Sequence, residues 1–126
     1  MRFWSSRRIK RTFASSRSPE SATDFLAQSG VAPELSEVAL TIRSAIANLA
    51  GVEPTLIHAN DNFDEDLAHY DFWGSLDTVA VVLELEECLR IKLTENQTHR
   101  IPHPEFVPGM TVAEFVRCVA QIVSEK

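Results

Sequence analysis

Ser75 is the residue whose surroundings most invite chemistry. It follows Gly74, precedes Leu76 and Asp77, and opens an apolar-periodic stretch, so a predicted helix N-terminus holds its hydroxyl. At the least such a serine is an N-cap, worth about 1 kcal/mol of helix stability. Asp77 in the first turn suits the positive end of the helix dipole. Hydrolytic use of the hydroxyl would need a base and a tight glycine elbow. The segment Trp73-Gly74-Ser75-Leu76-Asp77 lacks the outer glycines of G-x-S-x-G. His58, His69, His99 and His103 are scattered over loops and helix ends, with no spacing that orients one of them. A serine hydrolase is set aside.

Metal and thiol chemistry fare no better. The run Asp61-Asn62-Phe63-Asp64-Glu65-Asp66 offers carboxylate oxygens but lacks the glycine and terminal glutamate of a calcium loop. The expectation is that these acids solvate the loop, with Asp61 or Asp64 capping a turn. Cys88 and Cys118 stand thirty positions apart, which excludes a CxxC redox pair and a zinc framework. Both fall within helical patterns and are expected as reduced, at least partly buried thiols. Neither a catalytic residue nor a metal ligand emerges.

The elements that must position Ser75 are helical. Leu35, Val38, Ala39, Ile42, Ile46 and Leu49 form one face over 33–50, closed by Gly51 as a C-cap. A long connection, 52–74, follows, with Ile57, Phe63 and Leu67 as its anchors; connections of this length are functional or packed by their own side chains. The next helix runs from Ser75 to about Leu89. Val81, Val82, Leu85 and Leu89 form its inward stripe, while Leu76, Val79 and Leu83 form a second apolar line. A short helix spans 95–100, ended by Pro102. Thr111 and Glu114 make a capping box for a last helix bearing Val112, Phe115, Val116, Val119, Ile122 and Val123. Ahead of these, a short helix from Ser18 to Gln28 is expected, capped by Ser18 and opened by Pro19, with Phe25 and Leu26 pinning it weakly. The fold class is all-α: a small bundle of three main helices plus a short one, with a long loop after the first main helix.

Order and spacing now point to a family. Phe63-Asp64-Glu65-Asp66-Leu67, then Ser75-Leu76-Asp77-Thr78-Val79, then Leu83-Glu84-Leu85-Glu86-Glu87, resemble the acyl carrier proteins, which follow an acidic F-x-E-D-L segment with D-S-L and a helix ending in L-E-E. Gly51-Val52, Ile57, Phe63 and Thr111-Val112 extend the resemblance over about residues 35–125. Two departures stand out. Gly74 replaces the family's Asp before the serine, and the stretch from Ala68 to Gly74 is about four residues longer than usual. Asp71 within it could restore the charge, and Phe72 and Trp73 could flank a prosthetic group or plug the loop. A second insertion lies around Pro102 to Pro108.

The resemblance implies a carrier rather than an enzyme. Ser75 would be the attachment point of a 4′-phosphopantetheine from coenzyme A, its Oγ attacking the pyrophosphate with base and metal supplied by a phosphopantetheinyl transferase. Acyl groups would travel as thioesters for fatty-acid or related biosynthesis and lipid metabolism. Leu76, Asp77, Val79, Leu83, Glu84 and Glu87 resemble the surface that receives acyl-processing enzymes with basic docking patches, steered by charge and held weakly by apolar contact. Glu86 belongs to the same acidic helix. The alternative is an unmodified, acyl-carrier-like interaction or assembly module, for which Gly74 and the insertion speak.

Charge bounds the partners. Residues 1–17 carry six basic side chains and no acid, leaving the rest of the chain at −12. An acidic body repels phosphates, so nucleic acid is not an expected partner. The basic head, with Phe3, Trp4 and Phe13, reads as a disordered tail, an organelle transit segment or a membrane-surface arm. Residues 18–32 form the short helix and linker, and 33–126 the helical domain. No apolar run approaches the roughly 20 residues of a membrane span. A cytoplasmic monomer is expected, or an organellar one if the head is a transit peptide.

Overall fold

Helix-forming patterns with explicit start and stop signals translate into five helices and no strand among the described residues. The computed structural model describes residues 17–64, 66–67 and 75–125, and only the backbone of residues 75–77 at the start of one helix; the Glu105 side chain is likewise outside it. The helices are α1 (Ala22–Ser29), α2 (Ser36–Ala50), α3 (Ser75–Leu89), α4 (Glu95–Arg100) and α5 (Val112–Ser124). The head up to Ser16 and the stretch 68–74, aromatic insertion included, lie outside the described residues.

The strongest sequence signals match the helices they announce. A 3₁₀ turn at Pro33–Leu35 leads into α2, whose Val38, Ala39, Ile42 and Ile46 are buried. Gly51 closes α2 in the left-handed region, at φ 72°, and Val52 donates back to the Ala47 carbonyl. Thr94 caps α4 and Thr111 caps α5, each with a reciprocal bond from Gln97 or Glu114. Ile57, Phe63 and Leu67 anchor the long connection in the core.

That connection is stitched to α5 by its backbone. The first N–H groups of a helix have no partner within it; here Val112 donates to the Asp61 carbonyl (2.8 Å) and Ala113 to that of Ala59 (2.8 Å). Phe63 donates to Met110 (3.0 Å), and its ring meets Phe115 edge-on at 5.6 Å. Such an aromatic pair adds about 0.5–1.5 kcal/mol to burial alone.

Three expectations need correcting. The first helix begins at Ala22, not Ser18: Ser21 is its cap, accepting from Asp24 (3.1 Å), and residues 17–20 are outside any helix. Phe25 is not a weak pin. It is fully buried among α2 and α5 residues, with the Arg43 guanidinium 4.4 Å over its ring. Cys88, expected at least partly buried, is exposed in the last turn of α3, where its Sγ donates to Glu84 (3.4 Å). That carboxylate, one turn earlier, pushes the Cys88 thiol up from its ordinary value. Because the thiolate is the reactive form, Glu84→Gln is expected to speed alkylation of Cys88 by iodoacetamide at pH 8, read by mass spectrometry; an unchanged rate would show the contact to be inconsequential.

Candidate functional site

Ser75 is the first residue of α3. Its hydroxyl, and the side chains of Leu76 and Asp77, lie outside the described residues, as do Asp71, Phe72, Trp73 and Gly74. What the structure describes is the helix that follows. Val81, Val82 and Leu85 face the core, and Leu89 is half-buried, so the inward stripe runs as the periodicity implies. Val79 is 47% exposed and Leu83 58%. With the core already served by the inward stripe, Val79 and Leu83 of the second apolar line are left to solvent.

Positions 79, 83, 86 and 87 share one face at helical spacing. Glu87 is exposed there. Glu86 is half-buried, and its Oε2 accepts from the Leu93 amide (2.9 Å), holding the turn into α4. Glu84 does not share that face. It lines a small crevice with Ala45, Asn48 and Leu49 of α2, engaged with Cys88. The six candidate docking residues thus divide: Val79, Leu83 and Glu87 come together, Glu84 stands aside, and Leu76 and Asp77 are placed by backbone alone in the first turn.

Between α3 and α4 lies a cleft of about 510 Å³ that the periodicity did not announce. Val79, Val82, Leu83 and Leu93 give it apolar walls, with Lys92, His99 and His103 among its polar lining. Thr78 also lines it. This residue is only 2% exposed, yet its Oγ1 has no hydrogen-bond partner among the described residues. A buried hydroxyl left unmade costs on the order of 1–3 kcal/mol, which sets Thr78 apart from the apolar side chains of the lining. Thr78 follows Ser75 by three residues, one turn along the same side of α3.

No family model, curated protein or solved structure matches the chain.

A second group of polar residues gathers around Asp61 and Arg43. Arg17, the last residue of the basic head, forks both carboxylate oxygens of Asp61 and also donates to the Leu56 carbonyl (2.8 Å). Asp61 is 3% exposed and additionally accepts from the His58 amide (2.8 Å), so it joins a buried network instead of solvating the loop. Of the two acids expected to cap a turn, Asp61 does so through that His58 amide three residues back, whereas Asp64 reaches across the fold to accept from the Gly109 amide (3.0 Å). Arg43, on the buried face of α2, donates to the carbonyls of Ile57 (2.9 Å), Glu20 (2.6 Å) and Thr55 (3.3 Å). Burial lowers the Arg43 pKa, while Glu20 and Asp61 work to raise it. These groups tie residues 17–20 to the loop. Among the described residues there is no cluster of three or more His, Cys, Asp or Glu side chains able to hold a metal, and no helix is long and apolar enough to cross a membrane.

Proposed function

We propose that the chain is a carrier of the acyl carrier type, with Ser75 the attachment point of a 4′-phosphopantetheine. The observation that carries this reading is the cleft beside α3. Its lining includes the unpartnered Thr78 hydroxyl, one turn from Ser75. Phosphopantetheine is a chain of amides and hydroxyls with a short apolar segment. An apolar-walled cleft with one buried donor–acceptor group fits such a molecule, so the residues present suit the group.

In this reading Ser75 would hold the phosphodiester at the start of α3, where free backbone amides and the helix dipole favour an anion. Thr78 would accept or donate to an amide, and Val79, Val82, Leu83 and Leu93 would cover the apolar parts. When bound, the group supplies a thiol on which acyl cargo is carried as a thioester. The protein contributes position and shelter, and no catalysis of its own. Val79, Leu83 and Glu87 would receive the basic docking patches of the transferase and of acyl-processing enzymes, loosely enough for the carrier to move on. The cargo would belong to fatty-acid or related acyl metabolism.

Intact mass after incubation with coenzyme A and a broad-specificity phosphopantetheinyl transferase tests the reading. Wild type is expected to gain one phosphopantetheine, and Ser75→Ala none. Failure of wild type with several transferases would overturn the carrier in favour of an unmodified assembly module, for which Gly74 ahead of the serine already speaks.

A further inference from the structure

The exposed face of α3 and the basic head of the same chain are complementary in both charge and apolar content. α3 contains Asp77, Glu84, Glu86 and Glu87 and no base; Arg90 and Lys92 come only after it ends. On its outer face Val79 and Leu83, 47% and 58% exposed, stand beside Glu87. Residues 1–16 contain Arg2, Arg7, Arg8, Lys10 and Arg11 and no acid, interleaved with Phe3, Trp4, Ile9 and Phe13. Exposed apolar side chains rimmed by charge mark an interaction surface, and opposite charge selects what comes to it.

Geometry makes the head a permanent neighbour. Arg17 is fixed to the body by its forked pair with Asp61 and its bond to Leu56, and Glu20 donates from its amide to Thr55 (2.8 Å). The sixteen residues ahead of Arg17 start from that point. Fully extended they reach about 50 Å, whereas a domain of this size has a radius of gyration of only about 13 Å. Every point of α3 is within reach. Tethering over such a span gives the head an effective concentration on the order of millimolar at α3, so weak complementarity suffices for occupancy.

We propose that the basic head folds back over the Val79–Leu83–Glu87 face of α3 and covers it as an intramolecular competitor for docking partners. The head's cations pair with the helix acids while its aromatic side chains cover the two exposed aliphatic ones. Anything that draws the head away would uncover the face. The proposal concerns the unmodified chain, in which Val79 and Leu83 are exposed, and does not rest on Ser75 being an attachment point.

Methyl NMR of the full chain tests it against the variant R7E/R8E/K10E/R11E. At low salt the Val79 and Leu83 methyl resonances are expected to differ between the two proteins, while those of buried Ile46 and Val119 coincide and report an intact fold. At about 1 M salt, where the screening length falls to about 3 Å, the differences should shrink. Coincident Val79 and Leu83 signals at low salt would overturn the proposal. So would differences that fade on dilution, which would place the head on a second copy. Sedimentation of wild type with anionic phosphatidylglycerol vesicles alongside coincident methyl signals would assign the head to a lipid surface instead.

Discussion

Phe25→Ala is expected to lower the unfolding free energy by about 3–5 kcal/mol, the cost of emptying a fully enclosed aromatic site. The ring is wholly buried, and it also carries the Arg43 guanidinium 4.4 Å above it. Arg43 is held there by the carbonyls of Glu20, Thr55 and Ile57, so it cannot follow the cavity inward without giving up those bonds. Collapse is therefore restricted, and the cost belongs at the upper end of the range. A drop in Tm on the order of 15 °C follows for a domain of this size. Far-UV circular dichroism during thermal and urea unfolding measures it. Leu26→Ala, at a half-buried neighbouring position, should cost clearly less. Were both changes worth under about 1 kcal/mol, α1 would be an appendage; a large cost for Phe25 makes it part of the core.

The contrast between α1 and the other helices shows what a sequence of this kind discloses. α2 and α5 bury long apolar stripes, and a stripe at 3.6-residue spacing is legible without knowing what covers it. Their ends are equally local: Gly51 is free to adopt φ 72°, and Thr111 and Glu114 satisfy each other within one turn. Residues 17–20 obey no such local rule. Ser18 and Pro19 resemble a helix start, but the Glu20 amide is taken by Thr55, the Glu20 carbonyl by Arg43 and the Ser18 carbonyl by His58 (2.7 Å). Partners some 23 to 40 residues away take the backbone groups of this segment, and the helix waits for Ser21.

The candidate site divides along the same line. That α3 has more apolar surface than one buried face requires is visible in its composition, and the exposure of Val79 and Leu83 follows from it. The cleft is not visible, because it exists only where α4 stands against α3. Six residues carry too little apolar periodicity to say where such a helix docks. Its position is set by the Thr94 cap, by Gln97 donating to the Ile122 and Glu125 carbonyls, and by Arg100 paired with Glu125. Thr78 consequently reads as an ordinary helix residue in the sequence. Arg17 and Arg43 mislead in the other direction. Arginines are read as solvated by default, yet one clamps a buried carboxylate and the other lies 3% exposed on the apolar side of α2.

Asp61→Ala should rank with Phe25→Ala in severity and exceed Arg17→Ala. The Asp61 carboxylate serves three groups: it takes both prongs of Arg17, accepts from the His58 amide, and contributes negative potential at buried Arg43. Its removal takes a forked carboxylate from Arg17, orphans a part-buried amide and deprives Arg43 of a counter-charge. Loss of one member of a buried pair costs about 3–5 kcal/mol. Arg17→Ala uncovers a single carboxylate that keeps its bond to His58, and Arg17 itself retains 14% side-chain exposure against 4% for Asp61. The smaller loss therefore belongs to Arg17. In the double variant the two losses should overlap, the combined cost falling short of their sum by about 1–3 kcal/mol. Urea unfolding of the four proteins closes the cycle. Strict additivity would mean that the two side chains act independently and that the head is not clamped at Arg17, whereas strong coupling makes Asp61 the peg on which residues 17–20 and the loop before α3 are jointly hung.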